Sequence, residues 1–420
     1  MAELICSELS KTYKNFQLAP TSFQLESGYL TVLAGKNGSG KSTLLRCLAG
    51  LNTTCSGNVS LDNISMKKYP KDYKNQIGYV SEEITYFMEK SAFENGQILG
   101  PYFANWSVER YYTFMDRMDF SPSKQLWQLS KGEYMKMQTC FVLAHQPRFL
   151  LMDEPLEGFD PVFRREFLSM MQDILNEDIG ILMSSHITET LTNLADYLLF
   201  ADNGKITFHC PDGRLSFQTA ASQTYTNTRP TVPSFPGGDY HMKHTLYTLE
   251  KKQFHLEGYW LFAGVLFFCY VLSIQMNMQT IYLDLQNGRI PDSVTTVPFL
   301  SKVGILSIFG LCAYLNHQLF LISENGSIAP RISRYLTLPL TRKDYYGVKA
   351  RIFFQKTGIL LLSLTAMFHV SFLGFKLPLS VYLHSLPDLV FTCLFLLLGA
   401  TLLFTGYLLY DFSYLKHHTI

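Results

Sequence analysis

Nine consecutive residues of the 420-residue chain, Gly35, Lys36, Asn37, Gly38, Ser39, Gly40, Lys41, Ser42 and Thr43, carry its densest chemistry. They fit the pattern GxxxxGK[ST], follow the apolar run Tyr29–Ala34 and precede the helix-forming stretch Leu44–Ala49. A loop of this kind between a strand and a helix binds phosphate. Its glycines let backbone N–H groups turn inward around phosphate oxygens, and the helix N-terminus adds a field that favours an anion. Lys41 is placed to reach the β- and γ-phosphates, and the Ser42 hydroxyl to ligate Mg²⁺. Further along, Arg148–Met152 reads as an apolar strand that ends in two carboxylates, Asp153 and Glu154. Asp153 suits Mg²⁺ binding through water, and Glu154 suits polarising an attacking water as general base.

The elements that must hold these residues are legible as well. Over residues 1–210, the short β-rich runs Tyr29–Ala34, Gln76–Val80 and Phe149–Met152 alternate with longer helical stretches. This predicts an α/β domain with buried parallel strands. Tyr197–Phe200, the pair Asn203-Gly204 and Lys205–Phe208 together predict a hairpin. Residues 211–240 are rich in Ser, Thr, Pro and Gly and read as a linker.

Beyond the linker, residues 241–420 contain four apolar segments, Tyr259–Met276, Val303–Ile322, Gly358–Phe375 and Leu389–Tyr410. Each approaches the ~20 residues that a helix needs to cross a bilayer, so an all-α transmembrane domain of four spans is expected. Lys243, Lys251 and Lys252 precede the first span; Arg331, Arg334, Arg342, Lys343, Lys349 and Arg351 lie between the second and third. The other loops hold little beyond Arg289 and Lys376. Cations accumulate on the cytoplasmic side, which places the N-terminal domain, the middle loop and the C-terminus there, in a multi-pass protein of the cell membrane. Tyr259 and Trp260 sit where an interfacial aromatic anchor belongs, and Lys356 is expected to snorkel toward the interface.

Composition narrows the classes. Lys+Arg number 35 against 34 Asp+Glu, a net charge of +1, so no nucleic-acid partner is expected. Charged residues make up 16%, below the ~25% usual for soluble domains, as a lipid-facing half requires. Eight cysteines show no CxxC, and neither a disulfide framework nor a zinc site is expected. The N-terminal residues lack the apolar core of a cleavable signal peptide.

In this order, the motifs of residues 1–210 resemble those of the ATP-binding cassette (ABC) ATPases. Leu129-Ser130-Lys131-Gly132-Glu133 stands where that family has LSGGQ, and Pro155–Pro161, with Gly158 and Asp160, is similar to its D-loop. Ser184-Ser185-His186 is similar to its H-loop, whose His contacts the γ-phosphate. Tyr13 stands where an aromatic ring stacks on adenine, with Phe16 competing for the role. The resemblance implies a P-loop NTPase fold with a helical subdomain, followed here by the membrane domain, and ATP with Mg²⁺ as cofactors. It also implies a shared site, in which Ser130 and Gly132 of one ATPase domain meet ATP on another. The partner is then a second ABC ATPase/permease chain, in a homo- or heterodimer within the lipid bilayer.

Two positions depart from the family pattern. Glu82 replaces the usual Gln after its strand; it remains a hard oxygen ligand, so contact with Mg²⁺ is expected, beside Asp153 and Glu154. Lys131 replaces a Gly of the signature, while Ser130 and Gly132 are kept. The stretches Ile77–Glu83, Leu99–Trp106, Leu129–Gln138 and Pro161–Leu168 resemble the cassettes of ABC-2 exporters, above all the Ytr-type subgroup linked to peptide export. Residues 329–346 resemble the coupling loop of ABC-2 permeases. Those permeases usually have six spans, so four implies a reduced permease or a further subunit. Asn316, His317, Gln318 and His369 lie within spans, where polar groups serve either function or interhelix bonding. The expected activity is ATP-driven export of an amphipathic or hydrophobic peptide, drug or lipid. The alternative is a membrane-bound ATPase complex for antimicrobial-peptide sensing or immunity without transport.

Overall fold

The computed structural model describes residues 2–52, 54–83, 85–157, 159–186, 195–209, 247, 257–289, 295–324 and 327–418. The expected linker 211–240, Gly158 and the cations Lys243, Lys251 and Lys252 lie outside the described residues. In chain order the elements are β1 (Glu3–Thr12), β2 (Gln17–Glu26), β3 (Leu30–Gly35), α1 (Lys41–Leu48), β4 (Ser56–Leu61), β5 (Ile64–Ser65), α2 (Pro70–Asn75), β6 (Ile77–Val80), α3 (Ala92–Leu99), α4 (Val108–Arg117), α5 (Lys131–Ala144), β7 (Phe149–Met152), α6 (Pro161–Asn176), β8 (Gly180–Ser185), β9 (Tyr197–Asp202), β10 (Lys205–His209), α7 (Glu257–Gln286), α8 (Lys302–Phe320), β11 (Leu321–Glu324), β12 (Ser327–Pro330), α9 (Arg342–Phe375) and α10 (Leu379–His418). They fall into two compact units. One is drawn from Met1–Thr245, Ile332–Arg342 and His417–Ile420, the other from Leu246–Arg331 and Lys343–Lys416.

In the first unit, strands β6, β7 and β8 are buried end to end, because uninterrupted apolar runs suit strands covered on both faces. The sheet order is β10-β9-β3-β8-β7-β6. Pairings from β9 through β6 are parallel, and β10 is antiparallel to β9. Leu33 lies opposite Ser184, Met183 opposite Met152 and Met152 opposite Val80. The carboxyl ends of β3, β8, β7 and β6 therefore reach one edge, the usual place for ligands in such sheets. Asn203 and Gly204 both take positive φ (47° and 79°) and close the β9–β10 hairpin, as that pair predicts. A second, antiparallel sheet has the order β2-β1-β4-β5. Its Leu4, Leu18, Val59 and Leu61 share one core with Leu44, Leu45 and Leu48 of α1.

The helical part of this unit is knit by aromatic contacts, with Trp106 4.7 Å from Phe141 and 5.0 Å from Tyr111 between ring centroids. Residues 332–342, far along the chain, belong here too. Tyr335 meets Phe87 and Tyr102 edge-on at 6.4 and 6.1 Å, and the Lys74 ammonium donates to the Leu336 carbonyl at 2.5 Å. Burial, aided by the Arg342 charge, pushes Lys74 down to a pKa of about 8.

Among the described residues, the second unit has four helices long and apolar enough to cross a membrane. They outrun three of the four expected spans, since helix-forming residues continue past the apolar core. The expected loop cations Arg342, Lys343, Lys349 and Arg351 thus lie inside α9. The second span is shorter than expected. The helix stops at Phe320, because Leu321 turns extended (φ −118°, ψ 153°) and β11 pairs with β12 in a hairpin. Lys356 is buried, with its ammonium 4.4 Å from the centre of the Trp260 ring, a cation–π contact. Asn316 is fully buried, and the His369 ring bonds the Tyr382 hydroxyl at 3.1 Å.

His145, at the end of α5, is 1% exposed and stacked 4.0 Å from Phe103. Burial pushes its pKa down to about 3. The folded chain therefore keeps it neutral while the unfolded chain protonates it below pH ~6.5, so the unfolded state binds more protons and stability falls as the pH is lowered. Between pH 7 and pH 5 this one residue should cost about 2 kcal/mol. Melting curves of the full chain at both pH values should show that His145→Phe loses less stability on acidification than the natural protein.

Candidate functional site

The phosphate loop is shaped by backbone that only glycine adopts freely. Gly40 has φ 108°, and a Cβ there would lie 2.7 Å from Cζ of Phe16; one on Gly35 would lie 2.4 Å from the Ala201 carbonyl oxygen. The loop is tied down by the Ser39 N–H to Lys36 O bond (3.1 Å) and the Gly204 N–H to Ser39 O bond (3.0 Å). Lys36, Asn37 and Gly38 form its exposed rim. The Ser39 hydroxyl is buried and has no hydrogen-bond partner among the described residues. Lys41 is 5% exposed, and its ammonium engages the carbonyls of Gly35 (2.7 Å) and Lys36 (3.2 Å) and a Glu154 carboxylate oxygen (3.2 Å). Ser42 is exposed and Thr43 half-buried in the first turn of α1.

Facing the loop is the end of β7. The Asp153 N–H donates to Val80 O at 2.8 Å. Ser184, at the end of β8, joins both acids: its hydroxyl donates to Asp153 Oδ1 (2.7 Å) and accepts from the Glu154 N–H (2.9 Å). Glu154 has φ 50°, a left-handed conformation costing a non-glycine residue about 1–2 kcal/mol, and such strain gathers at functional positions. In this pose its carboxylate bridges Lys41 and Nδ1 of His186, the latter at 2.9 Å, while the His186 N–H donates to the same oxygen at 3.3 Å. Three loops are thereby joined through one carboxylate. A carboxylate so placed, held by a cation and an imidazole beside a phosphate loop, can orient and polarise a water.

The other expected site residues are placed as follows. The Tyr13 hydroxyl accepts from Asn52 at 2.7 Å, and its ring carries the Lys11 ammonium 4.9 Å from its centre. The ring lying against the phosphate loop is that of Phe16, 6.3 Å from Tyr13. Ser130 caps the 14-residue helix α5 in a capping box with Glu133. The hydrogen bond from Lys124 (2.7 Å), together with the Ser130 N–H, holds Glu133 down at about 2. Among the described residues no hydrogen bond or ion pair joins Ser130 or Gly132 to the phosphate loop of the same chain.

Glu82 is not gathered with Asp153 and Glu154: its carboxylate pairs with Lys131, while Glu83 pairs with Arg46 of α1 at 2.5 Å. No group of three or more His, Cys, Asp or Glu among the described residues is arranged to hold a metal. The Ser42 hydroxyl and the Asp153 carboxylate are hard oxygens that suit Mg²⁺, which is commonly held by one or two carboxylates plus substrate phosphates. Motif reading named Ser184 only as part of the stretch leading to His186 and gave it no role of its own. Its signal was the hydroxyl at the end of an apolar strand just before His186.

Residues 18–157 match the family profile described as ABC transporter. The ABC transporter ATP-binding protein YtrB of Bacillus subtilis is 29% identical over 202 residues, covering 48% of this chain and 69% of that protein. The lantibiotic transport ATP-binding protein SrtF of Streptococcus pyogenes is 28% identical over 203 residues, 47% of this chain and 86% of that one. A solved ATP-binding subunit of an ABC transporter is 24% identical, with a TM-score of 0.46 over 50% of this chain and 90% of that one.

Removing the Ser184 hydroxyl leaves the Glu154 N–H and Asp153 Oδ1 without their partner. Ser184→Ala should lower ATP hydrolysis by roughly ten- to a hundredfold, with nucleotide affinity nearly unchanged, as steady-state kinetics beside equilibrium binding would read.

Proposed function

Since the first unit contains an ATP-binding cassette, a domain that hydrolyses ATP, we propose that the chain is an ATP-driven membrane exporter. The observation that carries this reading is that one chain joins the cassette to four helices long and apolar enough to cross a membrane.

In this reading ATP lies along residues 35–43, its adenine against Tyr13 or Phe16 and its phosphates on the loop N–H groups and Lys41. The Lys41 ammonium exchanges its contacts with the loop carbonyls and Glu154 for β- and γ-phosphate oxygens. Ser42 and Asp153 would hold Mg²⁺, which would supply neutralisation of phosphate charge when bound. Released from Lys41 but still fixed by His186 and by the Ser184 bond to its N–H, Glu154 holds the attacking water and takes its proton. A second ABC ATPase/permease chain, identical or different, supplies Ser130 and Gly132 across the interface, where the start of α5 presents N–H groups to the γ-phosphate.

Closing around ATP and reopening after hydrolysis works as a cycle only if nucleotide binds the two states with different affinity. Residues 332–342 are suited to carry that motion. They follow the second apolar helix in the chain and lead into the third, yet they are anchored by Tyr335 and Leu336 within the cassette unit. SrtF is named for lantibiotic transport, and apolar, aromatic helices suit amphipathic peptides, so an amphipathic peptide is the substrate class of choice. The cassette then stands on the cytoplasmic side of the cell membrane.

ATPase activity of the full chain in lipid nanodiscs should fall at least about a hundredfold in Glu154→Gln, with ATP still bound. Tyr335→Ala should keep basal hydrolysis and lose its stimulation by peptide. Vesicles with the cassette facing outward should accumulate labelled amphipathic peptide when given ATP. Hydrolysis without flux would favour peptide sensing or immunity over export.

A further inference from the structure

Two departures from the cassette pattern meet in the folded chain. Lys131, at a glycine position of the signature, sets its ammonium against the carboxylate of Glu82, at the glutamine position. The same ammonium lies 3.2 Å from a carboxylate oxygen of Glu157. One cation thus joins the loop after β6, the first turn of α5 and the segment just past Glu154.

The backbone around Glu82 stands beside the acids of the nucleotide site. Glu82 lies two residues beyond Val80, whose carbonyl accepts the Asp153 N–H at 2.8 Å. Its side chain nonetheless turns to Lys131. The three side chains are between 42% and 47% exposed, and ion pairs this open to water are weak enough to exchange. The hard oxygens that suit Mg²⁺ are those of Ser42 and Asp153, and the Asp153 N–H is bonded to Val80, two residues before Glu82.

We propose that Lys131 is a positioning residue, a latch within one chain that holds Glu82 off the Mg²⁺–nucleotide position and must let go for Glu82 to serve it. The inference rests on the reading of Ser42 and Asp153 as the Mg²⁺ side of the site. Lys131 and Mg²⁺ then compete for one carboxylate, so the latch raises the Mg²⁺ concentration at which nucleotide binds. Because coupling between two equilibria is reciprocal, Mg²⁺–nucleotide in turn loosens the hold of Lys131 on Glu82 at the start of α5, beside Ser130 and Gly132. Opening strands no charge, since Glu157 keeps the ammonium when Glu82 leaves.

The test is the binding of a fluorescent ATP analogue to the full chain in nanodiscs, titrated with Mg²⁺, a readout independent of hydrolysis. Lys131→Met should lower the Mg²⁺ midpoint about two- to fivefold and leave binding in EDTA unchanged. The same substitution in a Glu82→Gln background should produce no shift. An unmoved midpoint, or an equal shift in both backgrounds, overturns the latch. If Glu154→Gln still abolishes hydrolysis in that case, the proposed activity stands without it. If the natural chain binds no nucleotide, both fall.

Discussion

The nucleotide site hangs on the parallel pairing of β3, β8 and β7. Leu33 opposite Ser184 and Met183 opposite Met152 bring the phosphate loop, Ser184 and Glu154 to the same sheet edge. A register slip of one residue would turn every side chain of a strand to the other face. It would carry the Ser184 hydroxyl away from Asp153 and the Glu154 N–H, and nothing local would restore them.

Charge at this edge is arranged for exchange. Glu154 is 17% exposed and Lys41 5% exposed, so their interaction is only partly screened, and an entering phosphate offers Lys41 more negative charge than the carboxylate it leaves. The ion pairs farther out, Lys131 with Glu82 and Glu157, are open to water and correspondingly weak.

The helices of the second unit suit a different solvent. On α7, Leu261, Phe262, Val265 and Phe268 are each more than half exposed, an apolar surface too extensive for water but suited to lipid. Inside, two lysines find partners across helices. Lys349 donates to the Leu319 carbonyl, and Lys356 lies over Trp260. The cation–π contact at Lys356 depends on a neighbour that comes from another helix.

What the sequence by itself determined is the chemistry carried by contiguous residues. The phosphate loop, the strand ending in Asp153 and Glu154, the Asn203-Gly204 turn and four apolar segments each declare themselves within a short window, because glycine dihedrals, strand burial and bilayer thickness act locally. Tertiary structure decided what depends on neighbours distant along the chain. It gave Ser184 two acids to hold, put Phe16 rather than Tyr13 against Gly40, turned Glu82 toward Lys131 and docked Tyr335 between Phe87 and Tyr102. It also decided where helices end, as at Phe320, where the β11–β12 hairpin takes over. These outcomes come from competition between partners, and a carboxylate or an aromatic ring selects among them only once the packed chain has set which lie within reach.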